Sequence, residues 1–353
     1  MEQEKQPLLE MIDRPAFIVR DGIITDYNQM AKHRMIPLGK PIGNVLPENC
    51  DAYQTYRGGI LYLTLQIGWI NCGATVIRQE DGDIFLMDRD ADQAQLQTLA
   101  LAAQQLRVPF SNVMTIADCL LPELSDERQK EQAAQMNKAL FQLMRLITNM
   151  ADAERYTGLD DPRFENTELC VFLREIIEKS DLSLATTKVS VHFTCQENPI
   201  FTLIDRERTE RAVYNLLSNA VKFSNPGTCI NVKLLRSGKM ACLCVEDQGE
   251  GIAGHVQGTL FHRYMREPAI EDSRFGLGLG MTLVRSVASS HGGTVLLEQT
   301  GSGTRVTMTL AIRKEIPCAL RCPTLRISDY AGGRDLGLLE FSELLPSDAY
   351  EEN

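Results

Sequence analysis

The sequence predicts a multidomain α+β protein, and three patterns in its 353 residues lead to this expectation. Residues 12–88 alternate short apolar strands with turn residues. Residues 96–150 carry two long runs of apolar residues at three- and four-residue steps, the heptad spacing of paired helices. After residue 168, helical and strand patterns alternate around glycine-rich turns. We therefore expect four units, with boundaries at 1–89, 90–158, 159–314 and 315–353.

The first unit begins with a predicted hairpin. Residues 15–20 and Ile23–Tyr27 flank the Asp21-Gly22 pair, which favours a tight turn between antiparallel strands. A short helix is predicted over residues 28–35. Three further strands are predicted over Ile60–Ile67, 74–79 and 84–87. This order indicates a small α/β unit built on one sheet.

Two long helices follow, and each has a narrow apolar seam. The seam of the first consists of Leu96, Leu99, Ala103, Leu106, Phe110, Val113, Ala117 and Leu120. The seam of the second consists of Ala133, Met136, Leu140, Leu143, Ile147 and Met150. Pro122 and the polar residues after it predict a loop between the helices. Because pairing two such hairpins into a dimeric four-helix bundle buries both seams, we expect a homodimer; an intramolecular antiparallel coiled coil is the alternative.

A later helix carries three polar residues on one face. Asn215, Asn219 and Lys222 recur at four- and three-residue steps, opposite an apolar face. Two side-chain amides and one cation that point the same way suit a hydrated Mg²⁺ ion and a polyphosphate, because Mg²⁺ prefers hard oxygen ligands and retains water. A solvated helix face is the alternative interpretation.

Two glycine-rich stretches follow this helix. Asp247 ends a predicted strand over 240–245, where its carboxylate can accept a hydrogen bond from a ligand. The glycines just after it, Gly249 and Gly251, allow the backbone to turn tightly. A second set precedes a helix predicted over 281–290, where backbone amides form an anion site. This second set consists of Gly276, Gly278 and Gly280.

Four blocks in this order carry a family resemblance: RAVYNLLSNAVKFS, VEDQGEGI, LFHRYMR and GLGLGMTLVRSVASSHGG. Together they resemble the nucleotide pocket of the gyrase, Hsp90, histidine kinase and MutL ATPase superfamily, and most closely its sensor histidine kinase branch. The resemblance implies a PAS-like α/β sensor over 1–89 and a helical dimerisation hairpin over 90–158. It also implies an ATP-binding α/β sandwich over 159–314, with ATP and Mg²⁺ as cofactors.

The resemblance also implies roles for single residues. Asn219 would bind Mg²⁺, while Asn215 and Lys222 would contact the phosphates. Asp247 would accept from the adenine amino group, and Thr304 would lie close to the adenine. The remaining ATP-binding residues implied are Gly249, Gly251, Arg263, Gly276, Gly278 and Gly280, with a lid over residues 266–275.

The first long helix departs from the family pattern where the chemistry would take place. The resemblance places the phosphoacceptor histidine at Gln104 and the general-base glutamate at Gln105. A glutamine amide nitrogen is conjugated to its carbonyl, so it is not a nucleophile at neutral pH, and Gln105 cannot act as a general base. Val108 lacks the hydroxyl that the family has at that position. We expect no autophosphorylation at Gln104, and Ser111, on the same outward face, is the alternative acceptor.

These residues predict a sensor histidine kinase-like signal transduction protein that binds Mg-ATP without the usual autophosphorylation. The alternative is an active protein kinase, of the two-component or anti-sigma type, that phosphorylates a partner or an atypical site. The remaining histidines are poor substitutes, because His33, His192, His255, His262 and His291 lie outside the two long helices. The expected partners are a second copy of the chain and a response regulator or another signalling protein.

Composition and charge bear on the partners of the protein, its cellular location and the oxidation state of its cysteines. The chain has 36 Lys and Arg against 47 Asp and Glu, and the net charge of −11 argues against a nucleic-acid surface. The polar start predicts no signal peptide, and the longest apolar run, 58–70, is too short to span a bilayer, so we expect a cytoplasmic protein without membrane insertion. We expect the ten cysteines to be reduced there. The tail over 315–353 is either an extra helix on the ATP-binding unit or a partner-binding segment.

Overall fold

The computed structural model describes residues 9–120, 124–152, 162–195, 199–249, 251, 279–313 and 333–350, with the backbone alone for 90–95. The described strands are β1 Ala16–Arg20, β2 Ile23–Tyr27, β3 Ile60–Ile67, β4 Ile70–Gln79, β5 Gly82–Met87, β6 Phe164–Glu168, β7 Ser190–Cys195, β8 Phe201–Asp205, β9 Cys229–Ser237, β10 Met240–Glu246, β11 Val295–Thr300 and β12 Gly303–Ala311. The described α-helices are α1 Gln29–His33, α2 Cys50–Thr55, α3 Asp90–Leu120, α4 Glu127–Ala151, α5 Leu169–Leu184, α6 Arg206–Phe223, α7 Leu279–Ser290 and α8 Leu336–Glu340. No helix in these ranges is long and apolar enough to cross a membrane.

The N-terminal unit, residues 9–89, is an antiparallel sheet in the order β2-β1-β5-β4-β3. The predicted hairpin forms, and both residues of its turn adopt positive φ, 50° at Asp21 and 75° at Gly22. The apolar face of the sheet is buried, and the rings of Phe17 and Phe85 stack with centroids 4.7 Å apart. The alternating apolar residues of the sequence therefore fold as predicted for this unit.

The C-terminal sheet unit, residues 162–313, carries the helices α5, α6 and α7 on its strands. Its strands run in the order β11-β12-β10-β9-β7, with β7 parallel to β9. Phe164–Glu168 forms β6 and pairs with β8. The sequence of β6, FENTE, has no run of alternating apolar residues that could have indicated a strand.

The two units share one sheet, which the sequence did not predict. Strand β3 pairs antiparallel with β11, so that Val295 lies opposite Tyr62 and Leu297 opposite Ile60. This pairing makes a sheet of ten strands within the described residues. Gly59, at φ +85°, precedes β3, and any side chain there would collide with the carbonyl of Leu297. The junction therefore requires a glycine at this position.

Helices α3 and α4 form the predicted antiparallel hairpin, and α3 continues through Pro109 without ending. The seam of α3 divides into two seven-residue series. One series packs within the chain, with Leu96, Ala103 and Ala117 buried. The other series points outward, and its exposed members are Leu106 (49%), Val113 (52%) and Leu120 (57%). Met136 and Leu143 of α4 are exposed in the same way, so these five residues of the predicted seam are not covered within the described chain.

The structure answers two questions that the sequence raised, about the oxidation state of the cysteines and about the packing of the tail. Cys170 and Cys195 form a disulfide across 25 residues, so the expectation that all cysteines are reduced is wrong for this pair. The described tail, residues 333–350, packs on α4, α5 and α6. Its Phe341 and Tyr350 are almost fully buried in the core of the C-terminal sheet unit. The sequence left two alternatives for the tail, an extra helix on the ATP-binding unit or a partner-binding segment. The structure supports packing on the C-terminal sheet unit.

Candidate functional site

Helix α6 positions the predicted phosphate-facing residues. It begins at Arg206, where the side chain of Asp205 accepts a hydrogen bond from the backbone of Arg208 at 3.1 Å. Asn215 is buried, and its Nδ2 donates to the carbonyl of Arg211 at 2.8 Å. A Cβ built on Gly280 would lie 2.5 Å from Asn215 Oδ1, so only glycine fits where α7 begins beside α6. The helix N-terminus of α7 and the Asn215 amide are thus in contact.

The other two residues of this face lie further along α6. Asn219 and Lys222 are half-buried, one and two turns after Asn215. The Lys222 Nζ atom lies 3.4 Å from Glu343 Oε2 of the tail. An amide and an ammonium group thus follow Asn215 along α6, and the ammonium group has a carboxylate partner.

Asp247 lies at the end of β10, and its carboxylate is fixed by the backbone. Its Oδ1 accepts hydrogen bonds from the amides of Gly249 and Thr304, both at 3.0 Å. Among the described residues, no donor bonds to its Oδ2. Burial raises the pKa of Asp247, and the two backbone amides oppose this shift. One carboxylate oxygen thus holds the local backbone, while the other accepts from no donor in the part of the chain that the structure describes.

Glycines allow the backbone to approach Asp247 and the end of α6 closely. A side chain at Gly303 would collide with the backbone of Asp247, and one at Gly249 would collide with the carbonyl of Phe223. An isolated bridge between Ser224 and Gly249 ties the end of α6 to the turn after β10. Gly251 has φ +76°, which only glycine adopts readily. The predicted glycine-rich turn therefore brings Asp247 to the end of the α6 face.

Some predicted site residues lie outside the described residues: Arg263, Gly276, Gly278 and the lid segment 266–275. The described residues contain no group of three His, Cys, Asp or Glu side chains that could hold a metal ion. Asn219 fits the role of a ligand to Mg²⁺, which commonly uses one or two protein oxygens together with phosphates and water.

The outward face of α3 carries no nucleophile at the predicted acceptor position. Gln104, Gln105 and Val108 are all exposed, as the heptad numbering predicted. Ser111 is exposed as well, and its carbonyl accepts a hydrogen bond from Thr115 at 2.9 Å. These exposed side chains include no imidazole and no carboxylate, so the helix offers no general base at this point.

The histidines in other parts of the chain do not replace the missing phosphoacceptor of α3. His33 and His192 are exposed on other elements, and His255 and His262 lie outside the described residues. His291 is buried, and burial lowers its pKa to about 4. Its Nε2 accepts from the amide of Asp205 at 3.0 Å, and its Nδ1 donates to the carbonyl of Val287 at 2.7 Å. Both nitrogens of His291 are therefore occupied by backbone groups.

Sequence reasoning missed the charged groups that surround α6. Glu340 of the tail is buried with its carboxylate 3.2 Å from Arg145 of α4 and 3.9 Å from Arg211 of α6. Arg211 also pairs with Asp152, at the end of α4. The signal available in the sequence was two glutamates among the apolar residues of LLEFSELL, residues 338–345. Their partners are too distant in sequence to be identified from it.

Comparison with known proteins shows which families resemble the part of the chain that contains this site. Residues 204–314 match the family described as histidine kinase-, DNA gyrase B-, and HSP90-like ATPase. The sensor protein KdpD of Clostridium acetobutylicum is 28% identical over 209 residues, which cover 57% of this chain and 23% of that protein. The sensor-like histidine kinase SenX3 of Mycobacterium tuberculosis is 26% identical over 252 residues, covering 68% of this chain and 60% of that protein.

A solved structure resembles the fold as well. Full-length ShkA in complex with AMPPNP superposes with a TM-score of 0.53 at 18% identity, covering 62% of this chain and 47% of that one. The chain spans less than two-thirds of the length of each of these proteins. Residues 204–314 thus match an ATPase family, and a larger part of the chain is similar to sensor histidine kinases.

Proposed function

We propose that this chain is a sensor histidine kinase-like signalling protein that binds Mg-ATP between α6, α7 and the turn after β10, and that it does not phosphorylate itself at Gln104. Asp247 is the observation that carries the nucleotide proposal. Its Oδ1 is held by Gly249 and Thr304, and among the described residues its Oδ2 has no donor. A carboxylate in this state is a fixed acceptor for an exocyclic amino group such as that of adenine.

Further residues support a phosphate end to the same site. Asn215 lies against Gly280 at the start of α7, where backbone amides favour an anion. Lys222 supplies a cation on the same face, and Asn219 supplies an amide oxygen for Mg²⁺. Arg263, Gly276 and Gly278 are proposed to complete the contacts with the phosphates. The similar structure of ShkA was solved with AMPPNP, which agrees with nucleotide binding on this fold.

A signalling role without self-phosphorylation follows from the exposed face of α3. Gln104 and Gln105 occupy the positions that would need a nucleophile and a base, and neither side chain supplies one. We propose that ATP and a signal received by the PAS-like N-terminal unit set the conformation of the protein, and that a partner protein binds to it. A response regulator is the partner class proposed from the resemblance, and the expected cytoplasmic location stays a prediction.

The dimer is proposed from the divided seam. Exposed apolar residues lie on both helices of the hairpin, with Leu106, Val113 and Leu120 on α3 and Met136 and Leu143 on α4. A second hairpin of the same sequence has the same exposed series and the same spacing, so a four-helix bundle would bury both. Exposed apolar residues that recur along a helix in this way are otherwise unfavourable on a protein surface.

Titration with a fluorescent ATP analogue, with and without Mg²⁺, tests the nucleotide proposal. We expect saturable binding that Mg²⁺ strengthens. Asp247→Asn keeps the oxygen that Gly249 and Thr304 need but replaces Oδ2 with a donor. We expect this change to weaken binding about 10- to 100-fold, since hydrogen bonds to charged groups contribute about 1.5–3 kcal/mol. Glu246→Gln, a neighbouring carboxylate outside the site, is the matched control, and equal loss in both variants would contradict the assignment.

A further inference from the structure

The tail is held to the rest of the molecule by buried apolar side chains. The ring of Phe341 lies edge-on to that of Tyr214 of α6, with centroids 5.9 Å apart. The ring of Tyr350 lies 5.1 Å from that of Phe141 of α4. Leu339 and Leu345 of the same segment are buried as well. The tail is thus anchored on α6 and α4 at once.

Side-chain hydrogen bonds fix the path of the tail. Asn137 of α4 donates to the carbonyl of Tyr350 at 3.1 Å, and Gln142, also on α4, donates to the carbonyl of Ser342 at 3.0 Å. The Tyr350 hydroxyl donates to the carbonyl of Leu338 at 2.8 Å. These contacts hold the segment from 338 to 350 in one position along α4, and its charged side chains are therefore fixed relative to α6.

Two glutamates of this fixed segment contact the cations around the candidate site. Glu340 is 1% exposed and accepts from Arg145 Nε at 3.2 Å, while Arg145 also donates to Ser218 of α6 at 3.1 Å. Glu343 lies 3.4 Å from Lys222 and 3.9 Å from Arg145. Glu340 is enclosed, whereas Glu343 is partly exposed, so Glu343 is the tail carboxylate that a ligand at Lys222 would meet.

We infer that Glu343 determines the nucleotide affinity of this protein by competing with the polyphosphate for Lys222; the inference rests on the function proposed above. The Lys222 side chain is only 9% exposed, so its ammonium group has little access to water. A polyphosphate can use this cation fully only when the Glu343 carboxylate has moved away or shares it. The two anions repel each other in the same partly desolvated space.

The consequence is a reciprocal coupling between the tail and the nucleotide. A ligand that binds only the state with Lys222 released has its apparent affinity reduced by the fraction of molecules in that state. By linkage, nucleotide that takes Lys222 must loosen the tail by the same factor. Because a partly exposed ion pair contributes up to about 1 kcal/mol, the effect should be about 3- to 5-fold in Kd.

The test is titration of the full chain with a fluorescent ATP analogue and Mg²⁺, comparing wild type with Glu343→Gln and Asp348→Asn. Both variants remove one negative charge from the tail, but Asp348 is exposed and has no cation within ion-pair distance among the described residues. We expect Glu343→Gln to lower the Kd about 3- to 5-fold, from the strength of such an ion pair, and Asp348→Asn to leave it unchanged. Thermal unfolding checks that both variants are folded.

A second pair of variants, made in a protein that lacks the Lys222 cation, tests whether Glu343 acts through Lys222. In a Lys222→Gln protein, where the cation is gone, Glu343→Gln should no longer change the Kd. Hydrogen exchange of residues 336–350 supplies a readout without mutation, and we expect faster exchange after Mg-ATP is added to the wild type. Equal tightening by both charge variants, or an effect that persists without Lys222, would show general charge repulsion and overturn the inference.

The outcomes separate this inference from the proposed function. If wild type and Glu343→Gln bind the analogue equally and tail exchange is unchanged, the inference fails while nucleotide binding stands. If neither the wild type nor any variant binds the analogue, the proposed function fails and the inference fails with it. If the wild type binds weakly and Glu343→Gln binds clearly, both are supported.

Discussion

The buried position of Asp247 in the fold conflicts with the charge that its proposed role in ligand binding requires. As a carboxylate it is the proposed acceptor for the ligand, but burial disfavours its charge and raises its pKa. A carboxyl whose pKa is higher in the folded state stabilises the fold below the unfolded pKa, about 3.9, and this stability is lost as the pH rises through the raised value. At neutral pH the charged Asp247 therefore costs stability in the protein without ligand.

Asp247→Asn should separate these two effects. The variant keeps the acceptor for Gly249 and Thr304 without a buried charge, so we expect a higher midpoint of thermal unfolding than wild type at pH 7. The difference should disappear as the pH falls below about 3.9, where the wild-type carboxyl is protonated too. Thermal melts at several pH values, without nucleotide, check this. A lower midpoint for the variant at pH 7 would mean that the carboxylate has an essential structural partner.

The exposed glutamines of α3 carry the prediction about phosphorylation. We expect no acid-labile phosphate on residues 90–152 after incubation with radiolabelled ATP and Mg²⁺, because Gln104 cannot attack a phosphate and Gln105 cannot accept a proton. The double variant Gln104→His with Gln105→Glu restores both groups on an exposed helix face and should gain label. Gln104→Asn with Gln105→Asn is the matched control and should remain unlabelled.

Other patterns of label would revise this interpretation. Acid-labile label on α3 or α4 of the wild type would contradict the absence of a phosphoacceptor. Acid-stable label on Ser111 would instead identify an atypical kinase, which is the alternative function that the sequence left open.

The helical hairpin carries the prediction about assembly. Leu106 lies in the exposed series of α3, so Leu106→Asp would place an uncompensated charge in the proposed bundle. We expect this variant to weaken dimerisation about 100-fold or more, which light scattering after size exclusion at micromolar concentration would detect. Thr115→Asp adds the same charge on the opposite, exposed face of α3 and should remain dimeric. A wild type that is monomeric at high concentration would contradict the dimer.

Elements with strong periodicity could be predicted from the sequence, and others could not. Helix α6 alternates its apolar and polar faces at the 3.6-residue period, and its Asn and Lys positions followed from that spacing. Strand β6 has only FENTE, in which no pattern distinguishes a strand from a linker. The partner of Lys222 lies 121 residues further along the chain, so no local pattern could identify Glu343 as its contact.

At the scale of the whole molecule, the least predictable feature is the junction of the two sheets. It depends on three pairs of residues between β3 and β11 and on Gly59, none of which has a signature in sequence. A buried ion pair supports this junction. Arg285 of α7 lies 2.7 Å from Asp88, which follows β5, and its guanidinium lies 3.7 Å above the ring of Tyr62. Burial acts to lower the pKa of Arg285, but the Asp88 carboxylate and Tyr62 together outweigh it, and the net shift of this pKa is upward.

Asp88→Ala should therefore loosen the junction. The change leaves Arg285, with a side chain only 3% exposed, without its carboxylate, and we expect a loss of about 3 kcal/mol in the free energy of unfolding. Asp13→Ala removes the exposed partner of Arg89 close by and should cost less than about 1 kcal/mol. Denaturant unfolding compares the two. Equal, small losses would mean that the junction does not depend on this ion pair.

The shared sheet also has a consequence for how the C-terminal sheet unit behaves alone. Strand β3 covers the outer edge of β11, whose residues at this edge are Val295, Leu296 and Leu297. Without β3, these apolar residues would present unpaired amides and carbonyls, the kind of edge that recruits strands from other molecules. The N-terminal unit thus protects its neighbour from self-association. A signal that separated β3 from β11 would uncover a surface prone to aggregation unless another strand took its place.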